Sequence, residues 1–263
     1  MKSCKNCDAF LEPSFRYCPQ CSQVAIPHRL TMRELAHEAV HYFTHADKGI
    51  FQLIRDLAVE GGEVARNYVE GQRKRFFPPL NFFLIVAAIH VFVLNHGGDV
   101  EVNSQAKQHL EVQQIKDPIK RERLMEVYHR KDVAIEFVNK YANIISMLTL
   151  PLTTFFFWLL YRKGKYNYTE NLVACMYMHS FVLLMFSIIL QINGLFFEID
   201  PNPIYAVFLT MQISYSSWFY YHFQDNKGTS GALKALASSF ISLGSLFLIN
   251  FVLVGIYMLK IFE

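Results

Sequence analysis

The sequence has almost no net charge and no apolar leader at its start. Its 25 Lys and Arg residues nearly balance 22 Asp and Glu residues, which leaves a formal net charge of +3. So small an excess gives no basic footprint for nucleic acid, and we expect no nucleic-acid partner. The opening residues, MKSCKNCDAF, lack the apolar core of a secretory signal. We therefore expect the N-terminus to remain in the cytoplasm.

Charged residues are also missing from five long apolar runs, and no internal repeat is evident. Hydrophobic residues make up 52% of the chain and concentrate in these runs. Because the ~30 Å apolar core of a bilayer takes about 20 residues to cross, each run predicts a membrane span, and the first run is the shortest. Because no run has a charged residue at its middle, an ion-coupled transporter would lack the charged side chains that usually bind the coupled ion. The runs are Pro79–Asn95, Ala142–Tyr161, Leu172–Asn193, Pro203–Tyr221 and Leu236–Leu259.

Lysine and arginine collect on one side of these runs. Arg73, Lys74 and Arg75 precede the first run and YRKGKY follows the second, whereas GLFFEIDPN, after the third, contains no base. Basic residues tend to stay on the cytoplasmic face of a membrane. The pattern predicts a multi-pass membrane protein with its N-terminus cytoplasmic and its C-terminus extracytoplasmic. Arg73, Lys74 and Arg75 would then lie at the membrane interface.

Two polar segments outside the apolar runs carry helix signals. Residues 31–77 have apolar side chains at three- and four-residue steps, a Thr31–Glu34 capping box and a break at Gly61–Gly62, so we expect cytoplasmic amphipathic helices and a basic junction there. The charged stretch near 99–140 follows the first run. It predicts an extracytoplasmic helical hairpin whose second helix, Ile119–Lys140, starts at Asp117 and Pro118.

Four of the five cysteines lie in the first 21 residues, as Cys4-x2-Cys7 and Cys18-x2-Cys21. Two such knuckles joined by a hairpin place four thiolates at the corners of a tetrahedron, which suits structural Zn2+. A unit this small cannot bury enough apolar surface to fold alone, so the metal would supply most of its folding free energy. Disulfides or a redox pair are the alternative, which a cytoplasmic location disfavours. We expect residues 1–25 to form a zinc ribbon without an open metal position.

A histidine-rich stretch, HEAVHYFTHAD, contains the zinc-peptidase pattern H-E-x-x-H. On a helix His37 and His41 share a face, and Glu38 could act as general base of a metal-bound water. His45 cannot complete that site, because it lies ~12 Å from His37 along a helix axis and one ion cannot bridge this distance. A solvated helix face is the favoured interpretation. A second, non-catalytic metal site at His37 and His41 and a peptidase using Glu38 remain as alternatives.

Polar side chains within the apolar runs give a further set of candidates. His90 lies in the first run, and His179 and Gln191 lie in the third. Buried polar residues in a membrane either form interhelical hydrogen bonds or line a functional site. Interhelical hydrogen bonds are the favoured interpretation. A transport role would instead require the three side chains to meet in a polar cavity.

The order of these motifs resembles one family. Two cysteine knuckles, the HYFTHADKG stretch, the YVEGQRKRFFPP junction and then several spans are similar to an uncharacterised bacterial membrane protein family with an N-terminal zinc ribbon, domain of unknown function 3667. The resemblance implies a helical membrane fold and a location in the bacterial inner (cytoplasmic) membrane, but it implies no activity. The family commonly has glycine after its fourth cysteine, where this chain has Ser22. The residues that carry the resemblance are Cys4, Cys7, Cys18, Cys21, His45, Asp47, Lys48, Gly49, Tyr68, Gly71, Arg73, Lys74, Arg75, Phe76 and Pro79.

These features predict an all-α integral membrane protein, with about five transmembrane helices in residues 78–263 behind a small zinc ribbon and amphipathic juxtamembrane helices. The leading hypothesis is a non-enzymatic protein that presents the ribbon for partner binding or sensing. Its contacts would be the lipid bilayer and either a protein partner or a second copy. A small permease or channel formed by the bundle is the alternative, and a membrane zinc peptidase is the third.

Overall fold

The chain folds as a small two-stranded unit followed by a bundle of helices. The computed structural model describes residues 2–25, 29–35, 49–96, 112–113, 115–197, 201–225 and 228–262. Strand β1 (Lys2–Ser3) pairs antiparallel with β2 (Phe10–Leu11). We refer to residues 2–25 as the Cys4 module. The helices are α1 Gly49–Val59, α2 Gly62–Val69, α3 Pro79–His96, α4 Pro118–Lys140, α5 Ala142–Leu160, α6 Tyr168–Ile192 with a π-helical extension Asn193–Phe197, α7 Pro201–Gln224 and α8 Thr229–Phe262.

Each of the five apolar runs lies in one helix, and these helices are α3, α5, α6, α7 and α8. Within the described residues, two segments are long and apolar enough to cross a membrane, Tyr168–Phe197 and Thr229–Tyr257. The apolar parts of α3 and α5 are shorter, at Pro79–Leu94 and Ile144–Leu160. The structure therefore confirms a mostly helical protein with two candidate spans, and the arrangement of five spans stays a prediction.

Helix α6 occupies the centre of the bundle. It contacts α2, α3, α5 and α7, and 72% of its most apolar stretch is buried, against 22% for α8. Two hydrogen bonds show that α3 and α6 run in the same direction. The Tyr177 hydroxyl donates to the Phe77 carbonyl at 2.6 Å, and His90 meets Ser187 at 2.9 Å. The first residues of α3, α6 and α8 and the last residues of α5 and α7 therefore lie together, at what we term the module end.

Helix α2 is part of the bundle core. Its Val64, Ala65 and Tyr68 side chains are almost fully buried against α6 and α7. The two glycines before it allow this contact. Gly61 has a φ of 54°, a left-handed conformation that favours glycine. A Cβ atom on Gly62 would lie 1.9 Å from the Phe219 carbonyl oxygen of α7, so only glycine lets the two backbones approach this closely.

The predicted helix starts are confirmed at two positions. The Thr31 hydroxyl accepts from the Glu34 amide at 3.4 Å, and the Glu34 carboxylate accepts from the Thr31 amide at 3.1 Å, which completes the capping box. The Asp117 carboxylate accepts from the amide of Ile119 at 3.0 Å at the start of α4. A single residue, Tyr141, separates α4 from α5. The first arm of the predicted hairpin lies almost wholly outside the described residues.

Candidate metal centre and bundle cavity

The four N-terminal cysteines converge on one point. All four Sγ atoms lie within 4.8 Å of one another, and the Cys4–Cys21 and Cys7–Cys18 pairs are each 3.6 Å apart. Four sulfurs bound at about 2.3 Å to a central ion form a tetrahedron with edges of about 3.8 Å. A disulfide would need the two atoms to be about 2.05 Å apart. The spacing therefore fits a metal ion held by four sulfurs, as the sequence predicts.

Two backbone hydrogen bonds of the same kind shape each knuckle. In each knuckle, the backbone N–H of the first cysteine donates to the carbonyl of the residue five positions later. The backbone N–H of the residue four positions later donates to the carbonyl of that same cysteine. The residue after each second cysteine, Asp8 or Ser22, takes a left-handed conformation with φ near 56° and 58°. Ser22 thus adopts a backbone conformation that favours glycine. The bonds are Cys4 to Ala9 at 2.8 Å, Asp8 to Cys4 at 2.9 Å, Cys18 to Gln23 at 2.7 Å and Ser22 to Cys18 at 2.9 Å.

The electrostatics of the four thiols also call for a cation. Desolvation opposes ionisation of Cys18, but the backbone amides of Cys21 and Gln20 outweigh it and lower the Cys18 pKa to about 7. The Ala9 amide lowers the pKa of Cys7, yet desolvation and the neighbouring thiols together raise it to about 12. Four thiolates this close repel one another, so they cannot all ionise without a positive ion between them.

The Cys4 module is attached to the module end of the bundle by hydrogen bonds from both knuckles. From the first knuckle, Lys5 Nζ donates to the Glu70 carbonyl at 2.9 Å. From the second, the buried Gln23 side chain accepts from the Lys74 amide at 3.1 Å. The attachment places the metal site beside the predicted basic junction, where Lys74 and Arg75 are exposed.

The linker and the α5–α6 loop add a second set of contacts at this end. Asn167 Nδ2 donates to the Leu30 carbonyl at 3.3 Å. Lys165 Nζ and the Tyr166 hydroxyl both donate to the Glu70 carboxylate, at 2.5 and 2.9 Å. Desolvation raises the pKa of Glu70, but these two donors outweigh it and leave the pKa below its ordinary value. Module, junction and loop are thus held together by polar contacts.

The predicted histidine site lies outside the described residues. His37, Glu38 and His41 fall between residues 35 and 49, as does His45. Both the second metal site and the peptidase site therefore stay predictions.

The polar residues of the spans are brought together only in part. A cavity of about 220 Å3 lies between the helices, and both His90 and His179 line it. Gln191 does not line it, although the sequence suggested it as a third member. Gln212 of α7 and Ser242 of α8 stand there instead. Gln212 lies in the fourth apolar run, and no signal in the sequence places it at the depth of His179.

Comparison with known proteins gives one match. No curated protein and no solved structure matches the chain. The matched segment, residues 47–91, comprises α1, α2, the basic junction and most of α3. Residues 47–91 match the family described as Protein of unknown function (DUF3667), which confirms the resemblance carried by the motifs of this segment.

Proposed function

We propose that the chain is a non-enzymatic, multi-pass protein of the bacterial cytoplasmic membrane that presents a structural zinc ribbon to a protein partner. One observation carries this proposal. The Cys4 module is fixed to one end of the bundle, yet two of its aromatic side chains, Phe10 and Tyr17, are 59% and 64% exposed. Aromatic residues dominate the energetics of protein interfaces, and on a small, rigid module they favour a docking role.

Zinc is the metal that we propose for the four cysteines. Thiolates are soft ligands, and a tetrahedral set of four sulfurs favours Zn2+ or iron. With four protein ligands the site has no open position, so the metal would stabilise the module and would not act on a substrate. Purified protein should carry about one zinc per chain, and changing Cys4→Ser together with Cys7→Ser should abolish it. Near-stoichiometric zinc in the double variant would contradict the assignment.

A bilayer around the bundle is supported by its outer surface. Large apolar side chains are exposed along several helices, and soluble monomers rarely expose a contiguous apolar surface of this kind. On α8 alone the exposed side chains include Phe240 at 57%, Phe247 at 60%, Phe251 at 79% and Ile256 at 61%. Helix α3, the shortest of the five, has 18 residues and a length of about 27 Å, close to the thickness of the apolar core. These features support five spans.

Reporter fusions test the topology. A reporter before Met1 should be cytoplasmic, and a reporter after Glu263 should be extracytoplasmic, because the basic residues of the module end favour the cytoplasmic face. Two reporters on the same side would exclude an odd number of spans.

Site-specific photo-crosslinking in living cells tests the docking role. A photoreactive amino acid at Phe10 or at Tyr17 should give the same discrete protein adduct, because both side chains would face one partner. The matched control is Val127 of α4, which is equally exposed, at 58%, but belongs to the predicted extracytoplasmic hairpin. Adducts that match the dimer mass would identify a second copy as the partner. No discrete adduct from either aromatic position would contradict the proposal.

The cavity favours a second candidate function, a small permease or channel. Two of the three side chains that a transport role would bring together, His90 and His179, line this cavity, and Gln191 does not. Reconstituted liposomes should then release a neutral solute faster than empty ones. Filling the cavity with Val182→Phe should return that rate to the background.

A further inference from the structure

The cavity lies between six helices, from the middle of the bundle toward the end opposite the Cys4 module. Its walls are mainly apolar and aromatic. Among the described residues that line it there is no Asp, Glu, Lys or Arg. An apolar cavity of roughly 150 Å3 is already large enough for benzene. The volume of about 220 Å3 therefore admits an uncharged molecule somewhat larger than one aromatic ring.

The hydrogen bonds of His90 fix the state of its ring. Ser187 has a single hydroxyl proton, and it donates that proton to the Leu183 carbonyl at 2.8 Å. With that proton used, His90 Nδ1 acts as the donor in the 2.9 Å contact with Ser187 Oγ, which is the tautomer that satisfies both contacts at once. A buried imidazolium would need a neighbouring carboxylate, and none lines the cavity within the described residues. In this tautomer His90 is neutral, with its proton on Nδ1 and a lone pair on Nε2.

That lone pair has no donor among the residues that the structure describes, while the His90 ring forms part of the cavity wall. Two other polar side chains on the wall donate hydrogen bonds within the protein. Thr149 Oγ1 donates to the Ile145 carbonyl at 2.7 Å, and Gln212 Nε2 donates to Ser242 at 3.0 Å. His179 Nδ1 lies against the Cys175 backbone without completing a hydrogen bond there. His90 Nε2 is therefore an acceptor on the wall that a ligand can reach.

We propose that this cavity binds an uncharged organic molecule with a ring-sized apolar body and a hydroxyl or N–H group that donates to His90 Nε2. An unpaired acceptor in an apolar site costs free energy, and a ligand donor would remove that cost. Ligand sites of this kind, apolar with a few converging polar groups, commonly lie between the helices of bundles. The inference deepens the second candidate function, on whose cavity it rests, by naming the ligand class and the atom that selects it.

Fluorine NMR of the full-length protein in lipid nanodiscs tests the inference. A probe bound in the cavity gives a signal that is separate from the signal of the probe dissolved in lipid. The probes are para-fluorophenol, which has the donor, para-fluoroanisole, which has the same ring without it, and para-fluorobenzoate, which is charged. We expect a saturable bound signal for the phenol and about tenfold weaker binding of the anisole, the value of one good hydrogen bond. The benzoate should not bind.

Three variants separate the site from partition into lipid. His90→Leu should bring phenol and anisole to equal affinity, whereas His129→Leu, the same change on the exposed surface of α4, should preserve the tenfold preference. Val182→Phe should remove the bound signal, and Leu246→Trp serves as a second filling variant where the first does not fold. Equal binding of phenol and anisole to the wild type, strongest binding of benzoate, or a bound signal that survives filling would each overturn the proposal. Binding is measured without flux, so a bound signal without transport would exclude the permease and leave the site standing.

Discussion

The close contact between α2 and α7 gives a sharp test of how the module end is built. In the variant Gly62→Ala the added Cβ atom would lie 1.9 Å from the Phe219 carbonyl oxygen and 2.6 Å from the Phe223 nitrogen. Both neighbours are backbone atoms of a helix, so neither can turn aside as a side chain would. Restoring an ordinary separation of about 3.4 Å requires α2 and α7 to move apart by about 1.5 Å.

The cost of this movement follows from what α2 buries. Val64, Ala65 and Tyr68 are no more than 1% exposed, and Tyr68 packs edge-on against Tyr177 of α6 with the ring centroids 5.8 Å apart. Overpacking a close-packed interface typically costs about 1–3 kcal/mol, with further loss where buried side chains are uncovered. At about 2–4 °C per kcal/mol for a chain of this size, the melting temperature should fall by roughly 2–12 °C.

Thermal stability in detergent, followed by the monodisperse fraction on size exclusion, measures this effect. The matched control is Gly244→Ala in α8, where the added Cβ would have no neighbour within 4 Å. That variant should lie within about 1 kcal/mol of the wild type, since alanine is the better helix former. If Gly62→Ala is as stable as Gly244→Ala, then α2 does not rest on α7 as described.

Three further predictions concern the module and its surroundings. Ser22→Gly should retain one metal per chain and raise the stability of the module by up to about 1 kcal/mol, because glycine adopts a φ of 58° without strain; weaker metal retention than in the wild type would count against it. Glu70→Gln should lower thermal stability at neutral pH by less than about 1 kcal/mol, since the Glu70 side chain is 37% exposed and water screens its ion pair. Because the folded pKa of Glu70 is depressed, its contribution is present above pH ~4.5 and is lost as pH falls through the folded pKa, so the two proteins should converge in acid; a gap that widens in acid would refute the assignment. Glu38→Gln should leave photo-crosslinking intact. Leu53→Asp should prevent folding of the module end, because it places a charge where the side chain is 1% exposed. Loss of crosslinking in Glu38→Gln with normal behaviour of Leu53→Asp would favour the peptidase hypothesis.

Local features of the structure could be predicted from sequence because short-range chemistry decides them. The spacing of Cys4, Cys7, Cys18 and Cys21 fixes which sulfurs can meet, whatever the rest of the chain does. The capping box at Thr31 and Glu34 and the cap at Asp117 depend on backbone amides three residues away or fewer. Each of these predictions is confirmed, since none of them requires knowledge of distant contacts.

Contacts between distant segments could not be predicted in the same way. Gly61 and Gly62 indicate the end of a helix, but nothing nearby in sequence shows that Phe219 lies against them. The same holds for the attachment of the module. Nothing in the sequence near Gln23 shows that its side chain accepts a hydrogen bond from the distant Lys74 amide. The amphipathic pattern of residues 31–77 predicts a helix with one apolar face, but it does not show that α2 buries this face against α6 and α7.

The two glutamines of the apolar runs show what a prediction of the cavity would have needed. Gln191 and His179 share α6 and are 12 residues apart, so they are separated by about 18 Å along the axis and by about a third of a turn around it. The cavity wall includes no residue of α6 beyond Phe186, so Gln191 lies past its end. Gln212 stands on another helix, and its depth relative to His179 depends on the length of the intervening turn and on the direction of α7. A polar residue within a span is a candidate for a site. Whether it belongs to the site depends on its depth in the bundle and on the face of the helix that carries it. For residues on different helices, the packing of the bundle decides both the depth and the face.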